Sequence, residues 1–315
     1  MKPFLLGDIG GTNARFALVD RDAIGPVERT LTADAPDFLS AVGAFLSKHG
    51  GSQAIAGAAF AVAGPVQDGR CALTNNIWVV DREALKRALG LANVVVVNDF
   101  VALAWSLPRL DPVDLVAVGG GSARAGRPAL VFGPGTGLGV ACLVPDGSGK
   151  IAIASEGGHA TLPAANDRQE SVIRLLRSRQ GHVSIERILS GGGLVALYQA
   201  ILTIDQVAAP DRDAAEITKR GLDGSCPASR AALDLFCAFL GGVAGDLALT
   251  FGATGGVHIA GGIVPRFANH LAQTEFRRQF EAKGRFEAYL RAIATCVITR
   301  PDAAMVGLAA LLGHR

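Results

Sequence analysis

The amino-acid sequence predicts an α/β protein built from two similar halves with a cleft between them. Three observations carry that expectation. Short apolar runs rich in valine and isoleucine alternate along the chain with longer Ala- and Leu-rich amphipathic stretches, the pattern of strands covered by helices. The run Val94-Val95-Val96-Val97 is apolar on both faces, as an interior strand with helices on either side must be. A strand, a Gly/Thr turn and a second strand occur twice, with Gly10-Gly11-Thr12 leading into Arg15–Val19 and Gly135-Thr136-Gly137 leading into Val140–Val144.

Taken in order, the apolar runs predict strands at Phe4–Asp8, Arg15–Asp20, Ala54–Val62, Val94–Val97, Ala129–Phe132, Val140–Val144, Val257–Ala260 and Cys296–Thr299. The longer amphipathic stretches predict helices at Asp37–His49, Arg82–Leu89, Phe100–Ser106, Gln169–Gln180, Ser184–Ser190, Leu194–Ile201, Ser229–Thr250, Arg266–Gln273 and Asp302–Leu312. Pro108–Pro112 and the Gly/Arg-rich Gly119–Pro128 fall between the two copies of the turn motif and can hold the boundary.

Composition excludes several classes. Half of the 315 residues are apolar and only 18% are charged, enough material for a large core and too little polarity for disorder. A net charge of +2 offers no global field to draw in nucleic acid or an anionic membrane. Five scattered cysteines, none in a CxxC pair, argue against a disulfide framework and a structural zinc site and suit a reducing cytosol. The N-terminus reaches Asp8 after too few apolar residues for a signal-peptide core. Two windows, Pro128–Pro145 and Leu247–Val264, carry no formal charge, but their glycines, threonines and His258 suit buried strands and turns better than a spanning helix. A soluble cytoplasmic protein is expected.

Forty glycines imply tight turns or close approaches in many places. Gly7-Asp8-Ile9-Gly10-Gly11-Thr12-Asn13 and Gly133-Pro134-Gly135-Thr136-Gly137-Leu138-Gly139 are each followed by a strand. Neither matches GxxxxGK[ST] or GxGxxG, and neither opens a helix, so P-loop and Rossmann readings fail on context. What remains is two hairpin loops able to grip a phosphate with N–H groups and a threonine hydroxyl; plain tight turns are the competing reading. Asp8 could hold hydrated Mg²⁺, or satisfy local backbone at a strand end. In Gly255–Ile263, the Gly261-Gly262 pair offers a bare backbone surface for an adenine or ribose, and close helix packing explains the same glycines.

These motifs, with the Asn98-Asp99 pair that ends the valine strand and Ser155-Glu156-Gly157-Gly158-His159, occur in the order seen in bacterial glucokinases. The sequence resembles that family, part of the sugar-kinase, heat-shock-chaperone and actin superfamily, over about residues 4–312. The resemblance implies an actin-like (ribonuclease H-like) fold with a smaller lobe of about 1–110 rejoined by 301–315, a larger lobe of 111–300, and a homodimer. It implies phosphorylation of glucose to glucose 6-phosphate by Mg-ATP, with Gly7–Asn13, Gly133, Gly135, Thr136, Gly137, Gly261 and Gly262 holding the nucleotide.

Asp99 stands just beyond the C-terminal end of a strand, where ligands lie in open α/β sheets. A carboxylate there can accept the proton of an attacking hydroxyl while a phosphoryl group moves in line, although Asn-Asp before a helix also reads as an N-cap. By resemblance, Asp99 is the base for the sugar's 6-hydroxyl and Asn98 a hydroxyl-binding neighbour. Glu156 and His159 share a Gly-relaxed loop, and Glu186 reads on its own as a helix-start carboxylate; by resemblance all three are glucose ligands. Asn75 and Asn76 resemble a sugar-covering loop and read equally as a turn. No cysteine lies between Cys142 and Cys226, so His159 lacks the zinc motif of the related repressor and open-reading-frame kinases. The sequence opens on its first expected strand, so no N-terminal DNA-binding helix pair is expected.

The rival readings are a kinase for another hexose or with a polyphosphate donor, and a non-catalytic sugar-sensing module. Asp8, Asp99 and both loops together count against the last. The basic stretch Arg277-Arg278 through Lys283-Arg285 reads as a solvated helix face.

Overall fold

Strand β1 (Phe4–Ile9) turns back on β2 (Asn13–Asp20) as an antiparallel hairpin with Asp8 opposite Arg15. In the computed structural model, which describes residues 2–313 except 22, 74, 75 and 148, this hairpin begins the first of two compact units. Unit 1 is Met1–Leu110 with Arg300–Arg315, and unit 2 is Asp111–Thr299.

In unit 1 the short strands β3 (Ala23–Ile24) and β4 (Glu28–Leu31) both pair with β2. Helix α1 (Phe38–Lys48) follows, its N-terminus capped by Asp37, which accepts from the Ser40 amide at 2.7 Å. Strand β5 (Gly57–Val62) is buried at every position and lies parallel to β1. A separate hairpin of β6 (Arg70–Ala72) and β7 (Val79–Asp81) leads to α2 (Arg82–Leu89), β8 (Val94–Asn98) and α3 (Asp99–Ser106). The sheet order is β3-β2-β1-β5-β8, with β4 also on β2. Strand residues of period two point Phe16 and Phe60 into a core with Phe38 and Trp78, where Phe38 meets Phe60 edge-on at 5.1 Å.

Unit 2 opens with β9 (Leu115–Gly119), β10 (Ala129–Pro134), β11 (Leu138–Asp146) and β12 (Gly149–Ser155). Helices α4 (Asp167–Gln180), α5 (Gly191–Ile204), α6 (Ala214–Leu222) and α7 (Pro227–Phe251) follow. The unit ends with β13 (Val257–Ile259), α8 (Ala268–Leu271), α9 (Phe276–Glu281), α10 (Glu287–Arg291) and β14 (Thr295–Ile298). Its sheet runs β12-β11-β10-β13-β14-β9. The pairing β10–β11 antiparallel with β10–β13–β14 parallel repeats β1–β2 with β1–β5–β8, so the repeated Gly/Thr turn marks a repeated topology. The chain closes on α11 (Ala303–Gly313), which packs in unit 1 against α3.

All eight expected strands form, with ends shifted by up to three residues. The strand expected from Ala54 begins at Gly57, because Ser52–Ala54 is a 3₁₀ turn. The expected helix Ser184–Ser190 is absent. Its first amides bond another loop, Ile185 donating to Ala160 and Glu186 to Gly158, while those of Arg187, Ile188 and Leu189 close only single turns on Ser184 and Ile185, and Ser190 is instead the N-cap of α5. Arg266–Gln273 breaks into a 3₁₀ turn at Val264–Phe267 and the four-residue α8.

The basic stretch is a solvated face only in part: Arg278 and Arg285 are exposed, while Arg277 and Lys283 are not. Arg277, with 15% of its side chain exposed, pairs with Glu281 and donates to the carbonyls of Leu290, Arg291 and Ile293. It therefore fastens α9 to the segment before β14. Of the two uncharged windows, Pro128–Pro145 spans the β10–β11 hairpin and the second runs from α7 through β13 into a turn. Helix α7 is long and apolar enough to cross a membrane, but 72% of its 18-residue window is buried inside the fold, as expected of a core helix.

Candidate functional site

In unit 1 the parallel strands β1, β5 and β8 end at the same edge of the sheet, with Asp8 level with Ala61 and Ala61 level with Val97. Asp8 and the Asn98-Asp99 pair are thereby brought to one edge, where side chains beyond the strand ends converge. Asp8 is paired with Arg15 at 3.2 Å and keeps 23% of its side chain exposed, so its partner is a cation rather than local backbone. Loss of hydration raises the Asp8 pKa, and Arg15 pulls it back down. Asp99 is raised to about 7, first by loss of hydration and then by the negative charge of Asp8.

Asn98 is the N-cap of α3: its Oδ1 accepts from the Phe100 amide at 2.9 Å, while its Nδ2 donates to the Gly64 carbonyl at 3.1 Å. The N-cap reading thus holds for Asn98. Asp99 accepts from the Phe100 amide as well, at 3.0 Å.

The turn at residues 10–12 is closed by the Gly10 amide on the Asn13 carbonyl at 2.9 Å. Thr32 Oγ1 and Asn76 Nδ2 both donate to the Gly11 carbonyl at 2.9 Å, and Arg29 Nε donates to Asn13 Oδ1 at 2.9 Å. Thr32 and Arg29 carry no sequence motif, which is why reading along the chain misses them; β4 brings them in through its pairing with β2. Asn76 braces the turn and also accepts from the Trp78 amide. Asn75 lies outside the described residues.

In unit 2 the second turn, residues 135–137, joins β10 to β11 and is closed by the Gly135 amide on the Gly137 carbonyl at 2.8 Å. Thr136 is exposed there, as Thr12 is in the first turn. Gly133 packs against the Ala260 carbonyl, and Gly261, at φ +87°, lies on the Pro134 carbonyl, a conformation and a closeness that only glycine accepts without strain. These glycines are explained by backbone packed on backbone, not by a helix. Gly262 is exposed, with no atom within 4 Å of where a β-carbon would stand. Beyond it, Arg266 joins Ala215, Thr218, Lys219, Leu222 and Asp223 in lining a cavity of about 420 Å³. Sequence reading had no signal for the α6 wall of this cavity, because the charges of α6 (Glu216, Lys219, Arg220) are those of an ordinary amphipathic helix and it carries no Gly-rich turn.

Glu156 and His159 face the same way and are both exposed, with His159 Nε2 3.9 Å from Glu156 Oε2. Glu186 is not at a helix start; its Oε2 accepts from the Leu138 amide at 2.8 Å, which joins it to the second turn. No group of three or more metal-ligating His, Cys, Asp or Glu side chains occurs among the described residues, and all five cysteines are free thiols.

A family model described as Glucokinase matches residues 5–315. The chain is 50% identical over 312 residues to the glucokinase of Paramagnetospirillum magneticum, covering 98% of this chain and 97% of that protein. It superposes on the crystal structure of a glucokinase from an Antarctic psychrotroph with a TM-score of 0.90 at 36% identity, each chain covered over 100%. A glucokinase of the ROK family from Streptomyces griseus, solved in complex with glucose and AMPPNP, matches in fold with a TM-score of 0.65 at 21% identity, covering 98% of each chain.

Proposed function

The chain belongs to the glucokinase family, and from that premise we propose that it transfers the γ-phosphoryl group of ATP to the 6-hydroxyl of D-glucose. The observation that carries the mechanism is Asp99 at the C-terminal end of β8 with its pKa at about 7. A base is most effective when its pKa lies near the working pH. Asp99 takes the proton of the 6-hydroxyl, the hydroxyl oxygen attacks the γ-phosphorus in line, and the bond to the β-phosphate oxygen breaks to release ADP.

The remaining roles follow from chemistry and position. The turns at residues 10–12 and 135–137 present backbone N–H groups and the exposed hydroxyls of Thr12 and Thr136 to phosphate oxygens. Gly261 and Gly262, with the cavity beside α6, leave room for the adenosine. Asn98, Asp99, Glu156, His159, Glu186 and Asn75 serve the sugar hydroxyls; carboxylates, amides and imidazole suit a ring of donors and acceptors.

Asp8 fits a divalent cation, because burial disfavours its charged form and Arg15 offsets that only in part, so a cation beside it would stabilise the carboxylate. Held there through water, Mg²⁺ would neutralise charge on the transferring phosphates. Cytoplasmic location, which the free thiols suit, and a homodimer belong to the same proposal.

The test is a coupled assay across hexoses and phosphate donors, with and without Mg²⁺. Glucose 6-phosphate formed from glucose and ATP only when Mg²⁺ is present is the expected result. Saturable glucose binding without product would leave a sensor in place of an enzyme, and preference for another hexose or for polyphosphate would reassign the substrate.

A further inference from the structure

Three loops of unit 2 meet at one residue, Glu186, through its backbone and its carboxylate. Glu186 donates its amide to the Gly158 carbonyl at 2.8 Å and accepts from the Leu138 amide on Oε2, also at 2.8 Å. Its backbone therefore holds the loop that bears Glu156 and His159, while its carboxylate holds the turn at 135–137. Packing closes the same junction. A β-carbon at Gly137 would fall on the Glu186 carboxylate, and one at Gly158 would fall on the Leu138 carbonyl. The Gly191 amide, first in α5, donates to the Gly135 carbonyl at 2.9 Å.

We propose that Glu186 couples the sugar site to the nucleotide-phosphate turn, so that glucose and ATP each tighten the binding of the other. This rests on the reading of Glu186 as a sugar ligand. A carboxylate has acceptor sites on both oxygens. With Oε2 engaged by Leu138, Oε1 is left for a sugar hydroxyl. A hydroxyl bound there holds the carboxylate in place, and the carboxylate holds the Leu138 amide and the turn before it. In the reverse direction, a phosphate gripped by the turn fixes Leu138, and with it the orientation in which Glu186 meets the sugar. Whichever ligand binds first bears the cost of ordering the junction, and the second is spared it. Linkage requires the two enhancements to be equal. The contact also gives Gly137 a role distinct from phosphate binding, since a methyl group there would displace the carboxylate.

The experiment is calorimetric titration of glucose with and without saturating Mg-AMPPNP, on the wild type, Gly137→Ala and Glu186→Gln. In the wild type the analogue tightens glucose roughly fivefold or more, the usual range for coupled sites. Gly137→Ala, although it alters the nucleotide turn, raises the glucose Kd about tenfold and brings the coupling below twofold. Glu186→Gln keeps an oxygen for the Leu138 amide, so it weakens glucose but retains more than half of the coupling. Hydrogen exchange on the wild type gives a readout that needs no variant to fold: glucose alone slows exchange in the peptide containing Leu138. Independent binding in the wild type, or no change in that peptide, overturns the proposal. So does a Gly137→Ala protein whose only defect is toward the nucleotide. A wild type that forms no glucose 6-phosphate fails differently, overturning the reading on which the proposal rests.

Discussion

Asp8 raises the pKa of Asp99, although the two residues are 91 positions apart in the chain (99 − 8). Their strands are separated by one other, β5, and β1, β5 and β8 run parallel. Two strand spacings amount to roughly 10 Å of backbone, within the distance over which charges at a partly dehydrated edge act on each other. The two carboxylates differ in their partners: Asp8 is paired with the Arg15 cation, whereas Asp99 is held by hydrogen bonds from the backbone and from Asn98.

Replacing Asp99 by Asn removes the proposed proton acceptor and keeps the shape. We expect turnover to fall by about 10²–10⁴-fold, with the glucose Kd changed by less than about tenfold. A coupled assay and calorimetry measure the two quantities, and unchanged turnover would remove Asp99 as the base.

The same group makes both activity and stability depend on pH. As the proposed base, Asp99 has to be ionised, so kcat/KM for glucose should rise with pH on an acid limb centred near 7. For stability the sign is the opposite. The folded-state pKa of about 7 stands above the ordinary 3.8, so stability present below about pH 4 is lost as pH rises through 7. Asp99→Asn should therefore stabilise the fold at pH 8, on the order of 2 kcal/mol, and give no gain at pH 4. Thermal unfolding at the two pH values decides it; equal gains at both would mean the carboxylate is not the cause.

Asn76→Ala removes one of the two side-chain donors to the Gly11 carbonyl, along with the acceptor of the Trp78 amide. The expected result is a KM for ATP raised roughly fivefold and a stability loss of about 1–2 kcal/mol. Thr32→Val, which removes the other donor, should act in the same direction. If neither moves the KM for ATP, the turn at 10–12 does not need this brace.

Gly307 of α11 lies against the Ala102 carbonyl of α3, where a β-carbon has no room. Gly307→Ala should destabilise unit 1 by about 3 kcal/mol or more, the upper range of overpacking, despite the better helix propensity of alanine. Urea unfolding reads this directly, and an unchanged midpoint would show that α11 can shift away freely.

Much of the architecture was legible along the chain. Valine-rich runs have to be buried, and the eight strands read from them are where the structure has them. The Gly/Thr turns sit on the two hairpins, and the doubled motif reflects a doubled sheet. The strands β3, β4, β6 and β7, of two to four residues, are too short to show a period of their own and exist by pairing with neighbours, and the longer β9 and β12 were not expected either. Ser184–Ser190 has the composition of a helix, yet Ile185 and Glu186 bond across to the loop at 155–160 and only single turns form after them, and a local propensity of a few tenths of a kcal/mol per residue yields to such contacts.

The sequence by itself determined which chemistry the protein carries: a carboxylate at a strand end, two glycine turns, and a Glu-His pair in a loop, each a local matter of residue type and spacing. Only the tertiary structure decided how those groups are held. Arg15 became the partner of Asp8 through strand register, Asn76 and Thr32 reached Gly11 across the chain, and Glu186 left a helix to grip Leu138. Hydrogen bonds and charges act over a few ångströms of space whatever the separation along the chain, so partners far apart in sequence are settled only when the sheets assemble.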